Sequence, residues 1–338
     1  MSTTFVPHAI KRVSMPLLSM GSFFVGGHEV CYSGEPEEAY VLAPNGVPVN
    51  INPNGTSCVG QMYVQYLLNA EGTRRPPVVF CHGGSMTGAV WESTPDGQEG
   101  WLSDFFRQGW SVYNVDAVER GRSGWAPRDR AFAAKPLLRT GQDCFVQFRI
   151  GTAVQDCSLD SLHAAAYPHC QFPLQAFDQF MRQVVPRWSD TDELTLSAYV
   201  AMLDCLAQPV ILIAHSQGGA FAVRAAEQRP DKVAAIVAIE PAQAGTAEGL
   251  AQRRLKDTPI LLVYGDNLRL DARWPHIRKR TDHYFDQLAT CGGHVTVMDL
   301  PAHGIYGNSH LLMLERNNLA ISALIQKWLQ TQGLATAL

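Results

Sequence analysis

One serine lies where the chain changes abruptly from apolar to small and polar residues, and it could act as a nucleophile. The run PVILIAHSQGG begins at Pro209 with an apolar stretch typical of a buried strand, and AFAVRAAEQ after it favours a helix. Ser216 between them must occupy a strained turn, which tolerates only small residues two positions before and after the serine. Ala214 and Gly218 meet that demand. The context therefore indicates a catalytic serine rather than a chance match to a short motif.

A serine hydroxyl is a poor nucleophile at neutral pH and needs a histidine base and an acid that orients the base. The candidates lie after the serine: the acids Glu240 and Asp266, each ending a predicted strand, and the histidines His294, His303 and His310. His294 opens a predicted strand, which favours a structural role. The residue pattern leaves both acids and the last two histidines open.

A glycine pair follows the predicted buried strand PPVVFC, in the run HGGSMTG. Gly83 and Gly84 allow the backbone to approach a ligand closely. We expect the backbone N–H of Gly84, with that of Ser85 as the alternative, to stabilise an oxyanion together with the N–H of Gln217. A phosphate-binding loop is disfavoured because no Lys-Ser/Thr pair follows the glycines.

Strand-like and helical segments alternate along most of the chain, which predicts an α/β fold with a mostly parallel, doubly wound sheet. Residues 22–32 and 58–70 indicate an antiparallel start of that sheet, and FFVGGHEVCYS is typical of a hairpin turned by glycines. Helices are expected at about 98–108 and 275–291. The run SHLLMLERNNLAISALIQKWLQ predicts a long terminal helix.

The alternation stops between residues 124 and 208, in a segment rich in aromatic residues and proline. We expect this segment to be an inserted cap that excludes water and shapes an apolar pocket. The predicted organisation is then 1–123 as the N-terminal part of the core, 124–208 as the cap and 209–338 as the C-terminal part. Just before the cap, a structural salt-bridge network is expected among Glu119, Arg120 and Arg122.

Four runs together resemble the esterase 713-like branch of the α/β-hydrolases: HGGSMTGAVWESTPDGQEGW, AHSQGG, IEP and LPAHGIYGNSHLLMLERNNL. The resemblance extends over nearly the whole chain from residue 22 and is weakest in the expected cap. It implies a catalytic triad of Ser216, His310 and Glu240, because the acid of that family follows the next strand after the serine and its histidine lies in the Gly-Asn-Ser-His segment. Asp266 remains the alternative acid.

The resemblance also implies neighbours of the triad, and the substrate-pocket candidates are Ser85, His303 and Tyr306. Asn308 or Ser309 can cap the last helix, which would place His310 in its first turn. Members of the family can carry adjacent cysteines where this chain has Gly84 and Ser85, so that disulfide cannot form here.

These observations predict a serine hydrolase that cleaves a carboxylic ester or lactone through an acyl-enzyme. The alternatives are another triad-dependent chemistry, such as C–C hydrolysis or a lyase reaction, and a ligand receptor without catalysis on the same scaffold. A haloalkane dehalogenase is disfavoured because a serine stands where that reaction needs an aspartate. The aromatic cap favours an apolar or aromatic acyl or alcohol group.

Composition limits the partners and the location. A net charge of −4 without a basic block disfavours nucleic acid and anionic membranes as partners, and no apolar run reaches the ~18 residues that span a bilayer. Lys11 and Arg12 precede VSMPLLSMGSFFVGG, but Pro16 interrupts this run and no A-x-A site follows, so we expect a cytoplasmic protein without a signal peptide. The expected partner is a small ester or lactone, and the family resemblance suggests a homodimer.

Eight cysteines are scattered without a CxxC pair, which favours free thiols, although the even number leaves disulfides open. His163, His169 and Cys170 lie close in sequence, but their spacing fits no standard metal site. The sequence therefore predicts neither a metal nor a cofactor.

Overall fold

The fold is organised around one large sheet, seen in a computed structural model that describes residues 15–71 and 75–335. Lys11 and Arg12, used above to judge the N-terminus, lie outside the described residues. The strands are β1 (Leu17–Tyr32), β2 (Glu38–Tyr40), β3 (Val49–Ile51), β4 (Gly55–Asn69), β5 (Val78–Cys81), β6 (Val112–Asp116), β7 (Val210–His215), β8 (Val233–Ile239), β9 (Ile260–Tyr264) and β10 (Val295–Asp299). The helices are α1 (Trp101–Arg107), α2 (Gly141–Gln147), α3 (Leu159–Ala165), α4 (Phe177–Met181), α5 (Asp192–Cys205), α6 (Gln217–Gln228), α7 (Ala247–Ala251), α8 (Trp274–Thr290) and α9 (Asn318–Thr331).

Eight strands form the main sheet in the order β1-β4-β6-β5-β7-β8-β9-β10. Strand β4 pairs antiparallel with both β1 and β6, and every pair from β6 through to β10 is parallel. Strands β2 and β3 form a separate antiparallel pair. The predicted mostly parallel sheet with an antiparallel start is therefore confirmed.

Helices cover both faces of this sheet, as parallel sheets require. Along β7, Ile211 and Ile213 belong to the apolar cluster on one face, with α1 and α9, while Leu212 and Ala214 belong to the cluster on the other face, with α5, α6 and α8. The alternation of side chains along a strand explains this division. Because β7 lies in the middle of the sheet, the residue that follows it lies near the centre of the edge formed by the carboxyl ends of the parallel strands.

The segment between β6 and β7 contains the short helices α2–α4 and the longer α5. Most of its aromatic side chains join the two core clusters; those buried there are Phe132, Phe145, Phe148, Phe172, Phe177, Phe180, Trp188 and Tyr199. Trp125, by contrast, is 52% exposed. Helix α5 packs against α6, β1 and β4, so it belongs to the helical layer on the sheet. The cap boundaries at 124 and 208 stay a prediction.

The predicted glycine-turned hairpin is wrong, because β1 continues as one strand from Leu17 to Tyr32 along β4. Gly26 and Gly27 have φ values of 67° and 74°, a region that residues with a side chain rarely adopt. A Cβ on Gly26 would lie 2.9 Å from the Cα of Ala198 on α5. The glycines therefore permit a helix to pack closely on the strand rather than reverse the chain.

The last helix begins later than predicted, at Asn318, and the placement of His310 in its first turn is wrong. The apolar run from Leu311 to Leu314 is fully buried at every position. The chain here runs through the interior and forms one short 3-10 turn, Leu312–Leu314, before α9 begins. His310 lies in that loop, and the predicted caps Asn308 and Ser309 instead bind the carboxylate of Glu315.

Candidate active site

Ser216 lies in the turn between β7 and α6, with φ 52° and ψ −115°. A residue with a side chain rarely adopts this backbone conformation, and such strain is concentrated at functional sites. A Cβ on Gly218 would lie 2.4 Å from the carbonyl oxygen of His82, so no larger residue fits there. The strand–turn–helix context expected around the serine is present.

The glycine loop after β5 lies directly against this turn. A Cβ on Gly83 would lie 2.6 Å from Nδ1 of His215 and 3.1 Å from the Cβ of Ser216. A Cβ on Gly84 would lie 3.3 Å from Oε1 of Gln217. The absence of side chains thus brings the loop backbone next to the serine, as the sequence predicted.

Glu240, just after β8, is fully buried and contacts the imidazole of His310. Its Oε2 lies 2.5 Å from Nδ1 of His310, and its Oε1 accepts hydrogen bonds from the Gly265 N–H at 2.8 Å and from Nη2 of Arg149. A carboxylate can only accept, so Nδ1 of His310 carries the proton and Nε2 is left as an acceptor. Such a histidine can take a proton from a hydroxyl.

Asp266, the alternative acid, lies elsewhere. Its carboxylate accepts hydrogen bonds from the backbone N–H groups of Asn267 at 2.7 Å and Gly307 at 2.9 Å. It therefore stabilises the loop that leads to His310, while the imidazole itself bonds to Glu240.

His310 is held on several sides. Its ring stacks on Phe148, with ring centres 6.0 Å apart, and packs against Trp274 at 4.7 Å. Its backbone N–H donates to the Phe148 carbonyl at 2.8 Å, and its own carbonyl accepts from Nε2 of His215, also at 2.8 Å. His215 immediately precedes Ser216, so this bond ties the histidine loop to the serine turn.

The charges around the pair favour a neutral imidazole beside an ionised carboxylate. Burial alone would raise the pKa of Glu240, but the charge of Arg149 and the hydrogen bond from His310 lower that pKa to about 2. Burial lowers the pKa of His310 below its usual 6.5, although the hydrogen bond and charge of Glu240 oppose this. Near neutral pH the histidine is therefore free to act as a base.

Ser216 and His310 line the same cavity, which has a volume of about 280 Å³. Gly84, Ser85 and Gln217 line it as well, so the structure brings five of the sequence candidates together. The Ser216 hydroxyl makes no hydrogen bond to another residue within 15–71 or 75–335. Contacts between a nucleophile and its base are often longer before substrate binds.

Two further pocket candidates, His303 and Tyr306, do not line this cavity, and their place beside the pocket stays a prediction. His303 is exposed and Tyr306 is 52% exposed, and neither lines the cavity. Gly304 and Gly307 have φ values of 74° and 78°. Tyr306 instead lies beside His169, with ring centres 6.5 Å apart.

Arg149 is a residue of the site that sequence reasoning did not single out. Its guanidinium is fully buried; Nη2 pairs with Glu240, Nε donates to the Asp266 carbonyl at 3.3 Å, and the group lies 4.9 Å from the ring centre of Trp274. The only signal was a charged residue in the otherwise apolar run QFRIGTA. Nothing in that run indicated its partner, which lies 91 residues further along the chain.

The salt-bridge network predicted near the start of the insertion is confirmed for Glu119 and Arg120 but not for Arg122. Arg120 Nε lies 2.9 Å from Glu119 Oε1, and both side chains are buried. Arg122 pairs instead with Asp116 at 2.7 Å. These contacts fix the loop after β6.

All eight cysteines lie within the described residues and are free. Across that part of the chain, no cluster of three histidine, cysteine or acidic side chains is arranged to bind a metal ion. Its helices are all too short or too polar to cross a membrane.

Known proteins share both the sequence pattern and the fold. A model of the alpha/beta hydrolase fold family matches residues 76–259. A solved structure of a novel bacterial esterase is 32% identical, with a TM-score of 0.79, and the match covers 95% of this chain and 98% of that one. A fungal protein (strain ATCC 74256) described as probable secreted lipase phiG is 26% identical over 80% of this chain and 86% of its own.

A shorter match links the chain to lipase LipV of Mycobacterium tuberculosis (strain ATCC 25618 / H37Rv), 46% identical over 55 residues, which are 16% of this chain and 21% of that one. The family model covers more than half of the sequence, and the bacterial esterase shares the fold over nearly the whole chain. Together with the eight-stranded sheet and the serine turn after β7, these matches establish that the chain belongs to the α/β-hydrolase family.

Proposed function

We propose that this protein is a serine hydrolase of carboxylic esters or lactones that works through Ser216, His310 and Glu240. The observation that carries the proposal is the buried contact of 2.5 Å between Glu240 and His310, beside a cavity that His310 shares with Ser216. The bacterial esterase and the two lipases among the similar proteins support the same reaction class.

In the proposed reaction, Oγ of Ser216 attacks the ester carbonyl while Nε2 of His310 takes the hydroxyl proton. His310 then gives this proton to the leaving alcohol, and the ester bond breaks to leave an acyl-serine. A water molecule, deprotonated by His310, attacks the acyl-serine; the acyl–Oγ bond breaks, the acid is released, and His310 returns the proton to Oγ of Ser216. Glu240 orients the imidazole and stabilises its charged form.

The negative charge that develops on the carbonyl oxygen needs donors at the serine turn. We assign this role to the backbone N–H of Gln217 and that of Gly84, with Ser85 as the alternative donor. All three residues line the cavity with Ser216. Segment 124–208 supplies cavity-lining residues such as Phe148, which is consistent with a cap over the site.

The alternatives keep the triad but change the chemistry. A C–C hydrolase or a lyase would use the same base, and a ligand receptor would use the cavity alone. An acyl-serine trapped during ester turnover, seen as a mass increase on the peptide that contains Ser216, distinguishes ester hydrolysis from all three. A cytoplasmic location and a homodimer remain predictions.

The proposal is tested by Ser216→Ala with p-nitrophenyl esters and lactones of graded size. We expect kcat to fall by several orders of magnitude, because removal of the nucleophile leaves only the contribution of the oxyanion donors and of binding. The control is Ser57→Ala, an exposed serine on β4, which should keep normal turnover and thermal stability. Turnover that survives in Ser216→Ala, with an intact fold, would reject the proposal.

A further inference from the structure

Positive charge is concentrated in the cavity that contains Ser216 and His310. Four arginine side chains line it: Arg139, Arg187, Arg224 and Arg273. The lining contains one carboxylate, that of Asp192. The whole chain has a net charge of −4, so this wall is a local reversal of the overall charge. A concave wall of one sign strengthens the field that a bound ligand experiences.

Arg187 is the arginine that lies beside the glycine loop. A Cβ on Gly84 would lie 4.0 Å from its Nη1, and Nε donates to the carbonyl of Trp188 at 3.1 Å. Its Nη2 lies 3.6 Å from a carboxylate oxygen of Asp192, a longer separation than the 2.7–2.9 Å or so of a strong charge-assisted bond. Its guanidinium therefore holds its acidic neighbour only loosely.

Arg224 lies on α6, the helix that begins next to Ser216. Its Nη2 lies 3.3 Å from Oε1 of Glu193, whose side chain is 82% exposed. An exposed pair of this kind contributes little and is screened by salt. The charge of Arg224 is thus weakly compensated on the side of the cavity.

Arg139 and Arg273 complete the wall with partners near them in sequence. Arg139 pairs with Asp143 at 2.6 Å, and Nη2 of Arg273 contacts Asp271 at 3.4 Å and the Gln147 carbonyl at 3.3 Å. Each guanidinium has five N–H donors. The contacts of each of the four arginines involve one or two of its three guanidinium nitrogens, so N–H donors remain for a ligand.

The lining also contains four large apolar side chains, those of Phe148, Phe221, Trp274 and Ile277. A purely apolar substrate would not use the guanidinium N–H donors that the contacts within the protein leave available. A substrate with an apolar chain and a terminal anion would satisfy both parts of the wall. The aromatic-rich segment 124–208 predicted an apolar pocket, but most of its aromatic residues are committed to the two core clusters.

We propose that the substrate is an ester or lactone with a second, ionised carboxylate distant from the scissile bond, and that Arg187 and Arg224 bind this carboxylate. This inference rests on the proposed function. A planar guanidinium can donate two parallel hydrogen bonds to a carboxylate, which fixes its orientation as well as its position. Both arginines line the cavity that Ser216 and Gly84 also line.

The test compares two esters that differ only in the distal charge. Mono-p-nitrophenyl adipate has a free carboxylate, and p-nitrophenyl methyl adipate is its neutral counterpart with the same leaving group. We expect kcat/KM to favour the charged ester by about 10- to 100-fold, the range that one charge-assisted hydrogen-bonded pair supplies. Added NaCl should reduce this preference, because salt screens the interaction.

Three variants make the test specific. In Arg187→Gln and in Arg224→Gln the ratio of the two kcat/KM values should fall toward 1. In Asp192→Asn the ratio should rise, since the only carboxylate in the lining is removed. The matched control is Arg182→Gln, because Arg182 is also ion-paired, with Asp178 at 2.9 Å, but lies outside the cavity lining. Its ratio should equal that of the unchanged protein.

A ratio at or below 1 in the unchanged protein would overturn the inference, and so would a ratio that Arg187→Gln and Arg224→Gln leave unaltered. A p-nitrophenyl ester with a terminal phosphate that is preferred tenfold over the adipate would assign the wall to phosphate instead and reject the carboxylate.

Failure of the proposed function gives a different result. Ser216→Ala then hydrolyses both esters as fast as the unchanged protein does, or neither protein hydrolyses either ester. Calorimetric binding of monomethyl adipate decides the inference in that case. Binding that weakens about tenfold in Arg187→Gln supports it, and binding that is unchanged overturns it.

Discussion

Arg149 and the arginines of the cavity wall (Arg139, Arg187, Arg224 and Arg273) carry the same charge in opposite surroundings. Arg149 is fully buried, and its guanidinium is in direct contact with Glu240. The wall arginines are partly exposed, and their acidic partners range from nearly buried to 82% exposed. The same residue type thus occurs once as the buried partner of Glu240 and four times in the lining of the cavity that contains Ser216.

The difference lies in what each charge can still do. A buried charge that loses its partner is costly, so Arg149 and Glu240 are held to each other and act on the protonation of His310. An exposed ion pair contributes about 0–1 kcal/mol to stability and can exchange partners at little cost. The arginines of the cavity wall can therefore bind a ligand instead of their acidic neighbours. Fixed charges are suited to set a pKa, and loosely paired ones to bind a substrate.

The largest expected effect on activity comes from removal of the negative charge of Glu240, which contacts the imidazole of His310. Glu240→Gln should lower kcat/KM by about 10³- to 10⁴-fold, because an amide can no longer hold the imidazole in the required tautomer or stabilise its charged form. Asp266→Asn is the matched variant and should have a much smaller effect, since the Asp266 carboxylate accepts from the backbone N–H groups of Asn267 and Gly307 rather than from His310. Steady-state kinetics on protein shown to be folded by circular dichroism make the comparison. Greater damage from Asp266→Asn would contradict the choice of acid.

The next effect concerns stability. Arg149→Met leaves Glu240 buried with one fewer positive partner, and we expect the free energy of unfolding to fall by about 3–5 kcal/mol in urea titrations. Arg224→Met removes an exposed pair and should cost less than about 1 kcal/mol. Arg149→Lys, which keeps the charge, provides a folded reference if the methionine variant does not fold. Equal losses in Arg149→Met and Arg224→Met would erase the distinction between the two kinds of arginine.

A smaller stability effect should depend on pH through Glu315, the buried carboxyl that holds the loop before His310. Burial raises the pKa of Glu315 to about 7 from its ordinary 4.5, although hydrogen bonds from Ser309 and Asn308 oppose this. The folded state thus binds the proton more tightly between those pH values, and the free energy of unfolding should fall as the pH rises through that window, by on the order of 1–3 kcal/mol.

Glu315→Gln cannot titrate, so the difference in unfolding free energy between the unchanged protein and this variant should shrink as the pH rises from 5 to 8. Chemical denaturation at a series of pH values measures it. A difference that is constant over this range would show that Glu315 does not titrate there.

The smallest expected change is a shift of the pH profile. The neutral form of His310 is the active base, so kcat/KM should decline as the pH falls through the His310 pKa, which burial places below 6.5. The charge of Arg149 also lowers this pKa, so Arg149→Lys, with a less closely placed charge, should move the acid limb to slightly higher pH. An acid limb above 6.5 in the unchanged protein, or a shift to lower pH in the variant, would contradict this account.

Local patterns predicted much of the fold because each central strand is a short apolar run with clear ends. The core strands β5, β7, β8 and β9 and the helices α1 and α8 lie within a few residues of their expected positions. The two errors in the elements have a common cause. Tertiary packing overrides the local pattern in both places: α5 packs on the glycines of β1, and the buried run Leu311–Leu314 forms a short 3-10 turn instead of the start of α9.

The site was harder to predict because its parts come from distant segments. Glu240 and His310 are 70 residues apart, so spacing could not rank Glu240 above Asp266, and the family resemblance supplied that choice. The arginines of the cavity wall come from four separate stretches of the chain, and none carries a motif. His303 and Tyr306 are exposed and do not line the cavity, and nothing in their local sequence indicated this.

The central claim is that His310 activates the hydroxyl of Ser216, and the rate of covalent labelling measures this most directly. A p-nitrophenyl alkylphosphonate releases p-nitrophenolate once for each reactive serine, and peptide mass spectrometry locates the adduct. The account predicts one equivalent released with the adduct on Ser216, no labelling of Ser216→Ala, and labelling of His310→Ala slowed by at least about 100-fold. Labelling of His310→Ala at the rate of the unchanged protein, or an adduct on another residue, would contradict it.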